Sequence, residues 1–485
     1  MEPSAGATAP SSVSLTHRSA RRWLVAVGVA YAAFQLVAFD LDRAPSWDEA
    51  VYLSQVAPGA EAYHFTAWRA RGVTFLVAPL ALTGSIPVVR VGLALLAAAA
   101  LVGAFLPWVR TIHGAAPLAA AFFGSSWTAL FYGSEAMPNL WVAFAGVAAL
   151  GFVTARTTAG GGTRDDVAAA AALFAAALFR PFDAIVLAAI VAVASLVAGR
   201  RSIRWAGLPA VGAGAGCLVW LAETAGRYGG VRTALDQASV VTRLAVPGPW
   251  ERVARYLATA DGPSIGPLVD PGISIPVVVT AVFLTTAVAV ALLDARRRSR
   301  SHGPLVAAAG GATCFVAAYV GLVGVVAPRF LLPAVALVSV PVGAALVVLG
   351  RNRHPALRAA LLVPAAAWLL WQGSLAVRLE SGAARERAVV QDVGRVIGSL
   401  TDGRPCVVAS VVGAPQLGLA SGCRGRSIVD VGTVDAVPTE EARRGIERVF
   451  LVLERPLARV PPGTSQRRSV EGPGTRSLTI YRVDG

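Results

Sequence analysis

The chain has 485 residues, of which 55% are hydrophobic and only 15% charged. A soluble globular protein carries about 25% charge, so this balance excludes an ordinary soluble domain and points to a polytopic membrane protein. The formal net charge of +15 comes with arginine as the sole strong base, and its short clusters between apolar runs exclude a continuous basic face for nucleic acid.

Residues 1–20 are rich in Ser, Ala and Pro and read as a disordered cytoplasmic N-terminus. His17, Arg18, Arg21 and Arg22 then precede an apolar run over 23–39. No small-residue cleavage site followed by a polar mature start comes after it, so the run reads as an uncleaved first transmembrane helix. Further apolar runs lie at 86–108, 117–131, 140–153, 167–179, 184–197, 205–222, 273–293, 305–326, 330–349 and 357–377. Segments of this kind predict about eleven membrane helices within a unit over 21–378.

Arginine distribution gives the orientation. Arg110, then Arg156 and Arg164, Arg204, Arg296 and Arg297, and Arg351 all fall on the side of Arg18, Arg21 and Arg22 if eleven helices are counted. The positive-inside rule makes that side cytoplasmic. The segments 40–85, 132–139, 180–183, 223–272 and 327–329, and everything beyond 378, then face outward. Within the first loop, residues 72–82 are apolar but too short to span, as in an interfacial or re-entrant element. Tyr63, Phe65 and Trp68 before it suit an aromatic belt at headgroup depth.

Beyond residue 378 the pattern changes to alternating strand-like and helix-like stretches. A helix is predicted over 385–400, strands over 406–412, 427–431, 449–454 and 477–483, and a helix over 439–447. This predicts a small extracytoplasmic α/β domain over 379–485. Cys406 and Cys423 lie within it, close enough to pair in an oxidising compartment.

The stretch Pro45-Ser46-Trp47-Asp48-Glu49-Ala50-Val51-Tyr52 concentrates two acids beside the first helix in a chain that uses acids sparingly. Ser46 and Glu49 have the spacing of a capping box, in which Glu49 closes the helix start. Asp48, at the second helical position, is left without that structural duty, and the helix dipole favours its ionised form. That form can accept a proton. Tyr52 lies on the same helix face and either orients Asp48 or anchors at the interface. Glu135 is the only acid in 132–139; it is a solvated loop residue or a second carboxylate near Asp48. Arg180 and Arg329 sit at outward helix ends, against the charge bias. Each is a phosphate ligand by its paired donors, unless Arg180 pairs locally with Asp183 and Arg329 snorkels. His64, Arg69 and Arg71 are weaker candidates for the same phosphate. Charges are nearly absent from the middles of the predicted spans, which counts against proton relays and ion pathways.

These residues resemble the glycosyltransferase-C superfamily, and within it the family 39-like group of protein O-mannosyltransferases and aminoarabinose transferases, with actinobacterial relatives. Trp47-Asp48-Glu49-Ala50-Val51-Tyr52 is similar to their first-loop motif. Arg329-Phe330-Leu331-Leu332-Pro333 is similar to a late arginine-aromatic segment, and Leu178-Phe179-Arg180-Pro181 to a helix-end arginine-proline. The His-Pro-Pro signature of the mannosyltransferases is missing from the first loop. The resemblance implies transfer of a sugar from a polyprenyl-phosphate donor to an acceptor hydroxyl at the outer face, with inversion. Asp48 would be the base, Glu49, Tyr52 and Glu135 would position the acceptor, and Arg180, Arg329, His64, Arg69 and Arg71 would hold the donor phosphate. The acceptor would be a glycan, a lipid or a protein, reached in contact with membrane lipids. No cofactor is implied, and a divalent metal is left open. Two other classes stay open beside it: a flippase for lipid-linked sugars, and a non-catalytic envelope assembly protein.

Overall fold

The computed structural model of the protein describes residues 16–198, 203–238, 246, 248–263, 274–298, 302–351, 355–428, 437, 440–441, 446, 448–454, 464–471 and 477–484. Eighteen helices and five strands are defined in them. Within the described residues each predicted span falls largely on helix. The first is α1 (His17–Ala38), followed in the first loop by α2 (Trp47–Leu53) and α3 (Gly72–Ala81), and then by α4 (Ile86–Phe105). The apolar element expected over 72–82 is thus a ten-residue helix. A short turn of helix, α5 (Val109–Ile112), leads to α6 (Ala115–Gly124) and α7 (Trp127–Gly133). These two divide the predicted 117–131 run, because the Ser126 hydroxyl caps α7 by accepting from the Ala129 amide.

Next come α8 (Pro138–Thr158), α9 (Thr163–Phe179), α10 (Pro181–Val197) and α11 (Ile203–Tyr228). Two short helices in the long loop, α12 (Val231–Ala238) and α13 (Pro249–Ala258), precede α14 (Ile275–Arg298), α15 (His302–Leu322) and α16 (Leu332–Gly350). Among the described residues, seven helices are long and apolar enough to cross a membrane. α8 is packed inside the bundle, whereas α11 and α14 present most of their length outward.

The last helix of the bundle, α17 (Pro355–Leu400), runs unbroken for 46 residues, which at 1.5 Å per residue is about 69 Å. The segment expected as a separate helix over 385–400 is its final part. One element therefore carries the bundle into the C-terminal domain. There a five-stranded sheet has the order β2 (Arg424–Ser427), β1 (Cys406–Ser410), β3 (Arg448–Leu453), β5 (Ser477–Asp484), β4 (Thr464–Glu471). β1 is parallel to both β2 and β3, and β5 is antiparallel to β3 and β4. Val389, Val393 and Ile397 of α17 cover one face of the sheet, together with Leu417 of α18 (Ala414–Ser421). Val449, Leu451 and Tyr481 build a second core on the other face.

β2 begins earlier than the strand expected over 427–431, most of which lies outside the described residues, as does most of the helix expected over 439–447. The polar sequence Arg424-Gly425-Arg426-Ser427 has no apolar alternation to announce it. It is held at the sheet edge by Arg426 on Glu440 at 2.5 Å and Glu441 at 2.6 Å.

Cys406 and Cys423 form a disulfide across a separation of 17 residues. Closing a loop near that length is worth about 3 kcal/mol. Cys423→Ser is therefore expected to lower the stability of the C-terminal domain by roughly that amount, read as a shift in denaturant unfolding that added reductant reproduces in the unsubstituted protein.

Candidate functional site

α2 starts as its sequence requires. The Ser46 side chain accepts from the Glu49 amide, and Glu49 Oε2 accepts from the Ser46 amide at 2.8 Å. This box fixes the first turn, and with it the direction of Asp48. Asp48 Oδ1 accepts from Arg69 Nη2 at 2.6 Å, and Oδ2 lies 3.5 Å from Arg329 Nη2. The Asp48 side chain keeps 27% exposure, enough to meet a ligand. Burial raises its pKa, but Arg69, Arg329 and Arg180 together outweigh burial and hold the carboxyl below the usual range. Asp48 is ionised at neutral pH.

Each arginine comes from a different element. Arg69 is bound to Thr66 Oγ1 at 3.1 Å and lies over the Tyr52 ring, 5.3 Å from its centroid. Tyr52 is buried, so it supports Arg69 and is not an exposed interfacial anchor. Arg180 occupies the junction of α9 and α10 in extended conformation, with Pro181 opening α10. It pairs with Asp183 at 2.8 Å and donates to the Tyr319 hydroxyl at 3.1 Å, while Tyr319 donates to Asp183. The local pair allowed by the sequence is real, and it anchors Arg180 without consuming all its donors. Arg329 stands in a 3-10 turn (Pro328–Leu331), and the Phe330 ring lies 4.8 Å from Arg180 and 5.2 Å from Arg329.

The first loop reaches this place because α3 packs closely on the end of α9. A Cβ on Gly72 would lie 2.6 Å from the Leu178 carbonyl oxygen. Three guanidinium groups thus surround two carboxylates, Asp48 and Asp183. The excess of positive charge suits an anion beside a carboxylate able to take a proton.

The remaining predicted residues stand elsewhere. Arg71 binds Glu223 at 2.7 Å and Gln55 at 3.0 Å, and lies 3.7 Å over the Phe65 ring. Phe65 is buried there, which corrects its assignment to an aromatic belt; Trp68 remains exposed. His64 is exposed and lines a shallow recess with Tyr63, Arg227 and Tyr228.

Glu49 and Glu135 are each only 1% exposed. That burial corrects the solvated-loop reading of Glu135, and both acids are taken up by arginines that the sequence did not single out. Arg90, on α4, holds both oxygens of Glu49 and donates to the Ser134 carbonyl at 2.8 Å. Arg43 pairs with Glu135 at 3.2 Å and with Glu380 at 3.1 Å. Arg387 pairs with Glu135 at 2.8 Å and lies 3.5 Å from Glu49. Three arginines and three glutamates therefore tie α2, α4, the α7–α8 turn and α17 into one buried network.

Among the described residues no group of three or more His, Cys, Asp or Glu could hold a metal ion. Both oxygens of Asp48 already face guanidinium groups, so the divalent metal left open by the sequence finds no donor set at this site.

No protein-family model matches the sequence, and no curated protein matches it. Solved structures do resemble the fold. ArnT from Cupriavidus metallidurans in the apo state aligns with a TM-score of 0.60 at 13% identity, covering 95% of this chain and 98% of that one. The same protein bound to undecaprenyl phosphate aligns with a TM-score of 0.57 at 14% identity and the same coverage. The oligosaccharyltransferase of Archaeoglobus fulgidus, in complex with Zn and sulfate, gives 0.55 at 15% identity, over 88% of this chain and 67% of that one. The mycobacterial arabinofuranosyltransferase AftD gives 0.51 at 14% identity, over 96% of this chain and 42% of that one. At these identities the likeness is one of fold, and it extends through both the helical bundle and the C-terminal domain.

Proposed function

We propose that this chain, a polytopic membrane protein with the glycosyltransferase-C fold, transfers a sugar from a polyprenyl-phosphate donor to an acceptor hydroxyl. The observation that carries the reading is the convergence of Arg69, Arg180 and Arg329 around the partly open carboxylate of Asp48. Asp48 takes the proton of the acceptor hydroxyl as its oxygen attacks the anomeric carbon. The bond from that carbon to the phosphate oxygen breaks, the phosphate leaves with the electron pair, and the configuration inverts. Charge developing on the leaving oxygen is met by guanidinium groups already in place. Arg329 lies farther from Asp48 than Arg69 does, 3.5 Å against 2.6 Å, and is the arginine we assign to the phosphate. The undecaprenyl phosphate bound by the structurally similar ArnT supports a lipid phosphate as the donor class.

Glu49 and Glu135 then act as supports that hold α2, and not as acceptor contacts; Arg71 and His64 lie outside the donor site. The site opens on the extracytoplasmic side, where the disulfide of the C-terminal domain also belongs. The acceptor is a glycan, a lipid or a protein carrying the reacting hydroxyl. A flippase calls for polar groups at mid-membrane; here the ion pairs gather toward the ends of the bundle, around Asp48 at one and Arg110–Asp165 at the other.

Donor binding tests the assignment. Arg329→Ala is expected to weaken binding of polyprenyl phosphate about 10–100-fold, the worth of a charged hydrogen bond, measured by titration in nanodiscs. Unchanged affinity would remove Arg329 from the donor site.

A further inference from the structure

The first turns of α1 lie at the end of the bundle opposite Asp48 and carry a basic surface. Arg18, Arg21 and Arg22 are all exposed there, and none of them meets a carboxylate among the described residues. Other arginines at the same end are matched: Arg110 holds Asp165 at 2.6 Å, and Arg156 holds Asp166 at 3.3 Å. The His17 ring stacks on the His113 ring with 4.6 Å between centroids, which fixes the start of α1 against the α5–α6 turn.

One face of α1 runs from this charge into an apolar stripe. Arg18, Arg22, Val25 and Val29 follow one another at steps of four, three and four residues, which keeps them on one side of a helix. Arg21 stands four residues before Val25 on that side. Val25 and Val29 are exposed, and Val37 near the far end is 86% exposed. Trp23, 58% exposed, lies where charge gives way to apolar side chains, the depth that tryptophan takes at a membrane surface. The opposite face, with Ala20, Leu24, Gly28 and Tyr31, is buried in the bundle. A Cβ on Gly28 would lie 2.5 Å from Val102 of α4. The charge bias requires only that arginine stand on this side of the membrane. It does not require three arginines turned outward above exposed valines with no acid to meet them.

We propose that this surface binds an acidic membrane phospholipid, with its phosphate among Arg18, Arg21 and Arg22 and its acyl chains along Val25 and Val29. Guanidinium groups meet phosphate with paired donors, and a basic cluster beside a membrane helix draws acidic lipid from the leaflet it faces. On the orientation given by the arginine distribution, that leaflet is the cytoplasmic one. A zwitterionic lipid brings its own cation and leaves the three arginines short of counter-charge. A soluble anion meets the charge and gains nothing from the valines beside it. An acidic phospholipid matches both parts of the surface. The proposal does not depend on the transfer reaction assigned to Asp48.

The test uses the full chain in phosphatidylcholine nanodiscs that contain a small share of phosphatidylglycerol with a photoactivatable group at the start of one acyl chain. Labelling of the peptide that holds Trp23, Val25 and Val29 is expected to exceed that by phosphatidylcholine carrying the same group at the same share. Each arginine at an anionic surface is worth about a factor of five. Arg22→Gln is therefore expected to lower the preference for phosphatidylglycerol about fivefold, and Arg18→Gln, Arg21→Gln and Arg22→Gln together to abolish it. Arg22→Gln alone keeps the test valid should the triple change disturb insertion, because Arg18, Arg21 and Arg110 remain to set the orientation. Equal labelling by the two lipids would overturn the proposal, and a preference unchanged in the triple variant would overturn the site. Loss of the preference in inorganic phosphate, but not in chloride of equal ionic strength, would assign the surface to a soluble anion and overturn the lipid.

Discussion

Asparagine in place of Asp48 is expected to lower sugar transfer by about 10²–10⁴-fold, the usual contribution of a positioned general base. The substitution keeps size and one acceptor oxygen, so Arg69 retains a partner at the 2.6 Å position. It removes the negative charge that three arginines share. Donor phosphate should then bind as tightly as before or more tightly, and the loss should appear in kcat with the donor KM unchanged or lowered. A merely structural role would not produce that split. Transfer at the unsubstituted rate would sink the assignment.

The pH profile gives the same test a sign. Burial raises the Asp48 pKa, but Arg69 first and Arg329 next hold it below the ordinary carboxylate range. The acid limb of the transfer rate should therefore lie below that range, with Asp48 ionised throughout neutral pH. Arg69→Ala removes the larger of the two opposing charges and should move the limb to higher pH. An acid limb at the same pH in both proteins would separate the limb from Asp48.

Local chemistry made part of this site legible in the sequence. Ser46 and Glu49 announced a helix start, which left Asp48 as the acid without a structural excuse. Arg180 and Arg329 stood out because they sit at helix ends where the charge bias runs against them. The structure brings all three together with Arg69 and Tyr52. What the sequence did not disclose is the buried network, because its partners are 41, 92, 252 and 338 residues apart. Arg90 carried a usable signal: it is the fifth residue of an otherwise apolar helix, and such a charge needs a partner. Arg387 and Glu380 carried none, since the change of composition after residue 378 assigned them to the soluble domain while α17 continues across that position. The bundle was legible for the reverse reason. Long apolar runs interrupted by arginine clusters need no distant partner to be recognised, whereas the polar edge strand β2 depends on Glu440 and Glu441 and shows no pattern of its own.

Arg90→Met is expected to destabilise the protein by about 3–5 kcal/mol, the cost of leaving a buried charge without its partner. Arg90 is 2% exposed, and the Glu49 it holds is 1% exposed. Without it, the hydrogen-bonding partners left to Glu49 among the described residues are Arg387 at 3.5 Å and the amides of Ser46 and Ala136, each at 2.8 Å. Glu49→Gln combined with Arg90→Met should cost less than the two single changes added, because the double variant buries no unmatched charge. Unfolding in detergent or nanodiscs would measure all three. Burial raises the Glu49 pKa, but Arg90 and then Arg387 lower it further than burial raises it. A carboxyl depressed in the folded state stabilises fully above its unfolded pKa and loses that contribution as pH falls through the folded value. The difference between the unsubstituted protein and Arg90→Met should therefore be largest at neutral pH and shrink in acid. The loss should reach beyond α2, since Arg387 and Glu380 bring α17, and with it the C-terminal domain, to the same cluster. A cost below about 1 kcal/mol, that of an exposed pair, would mean that water enters the cluster and that α2 is held by its cap and its packing instead.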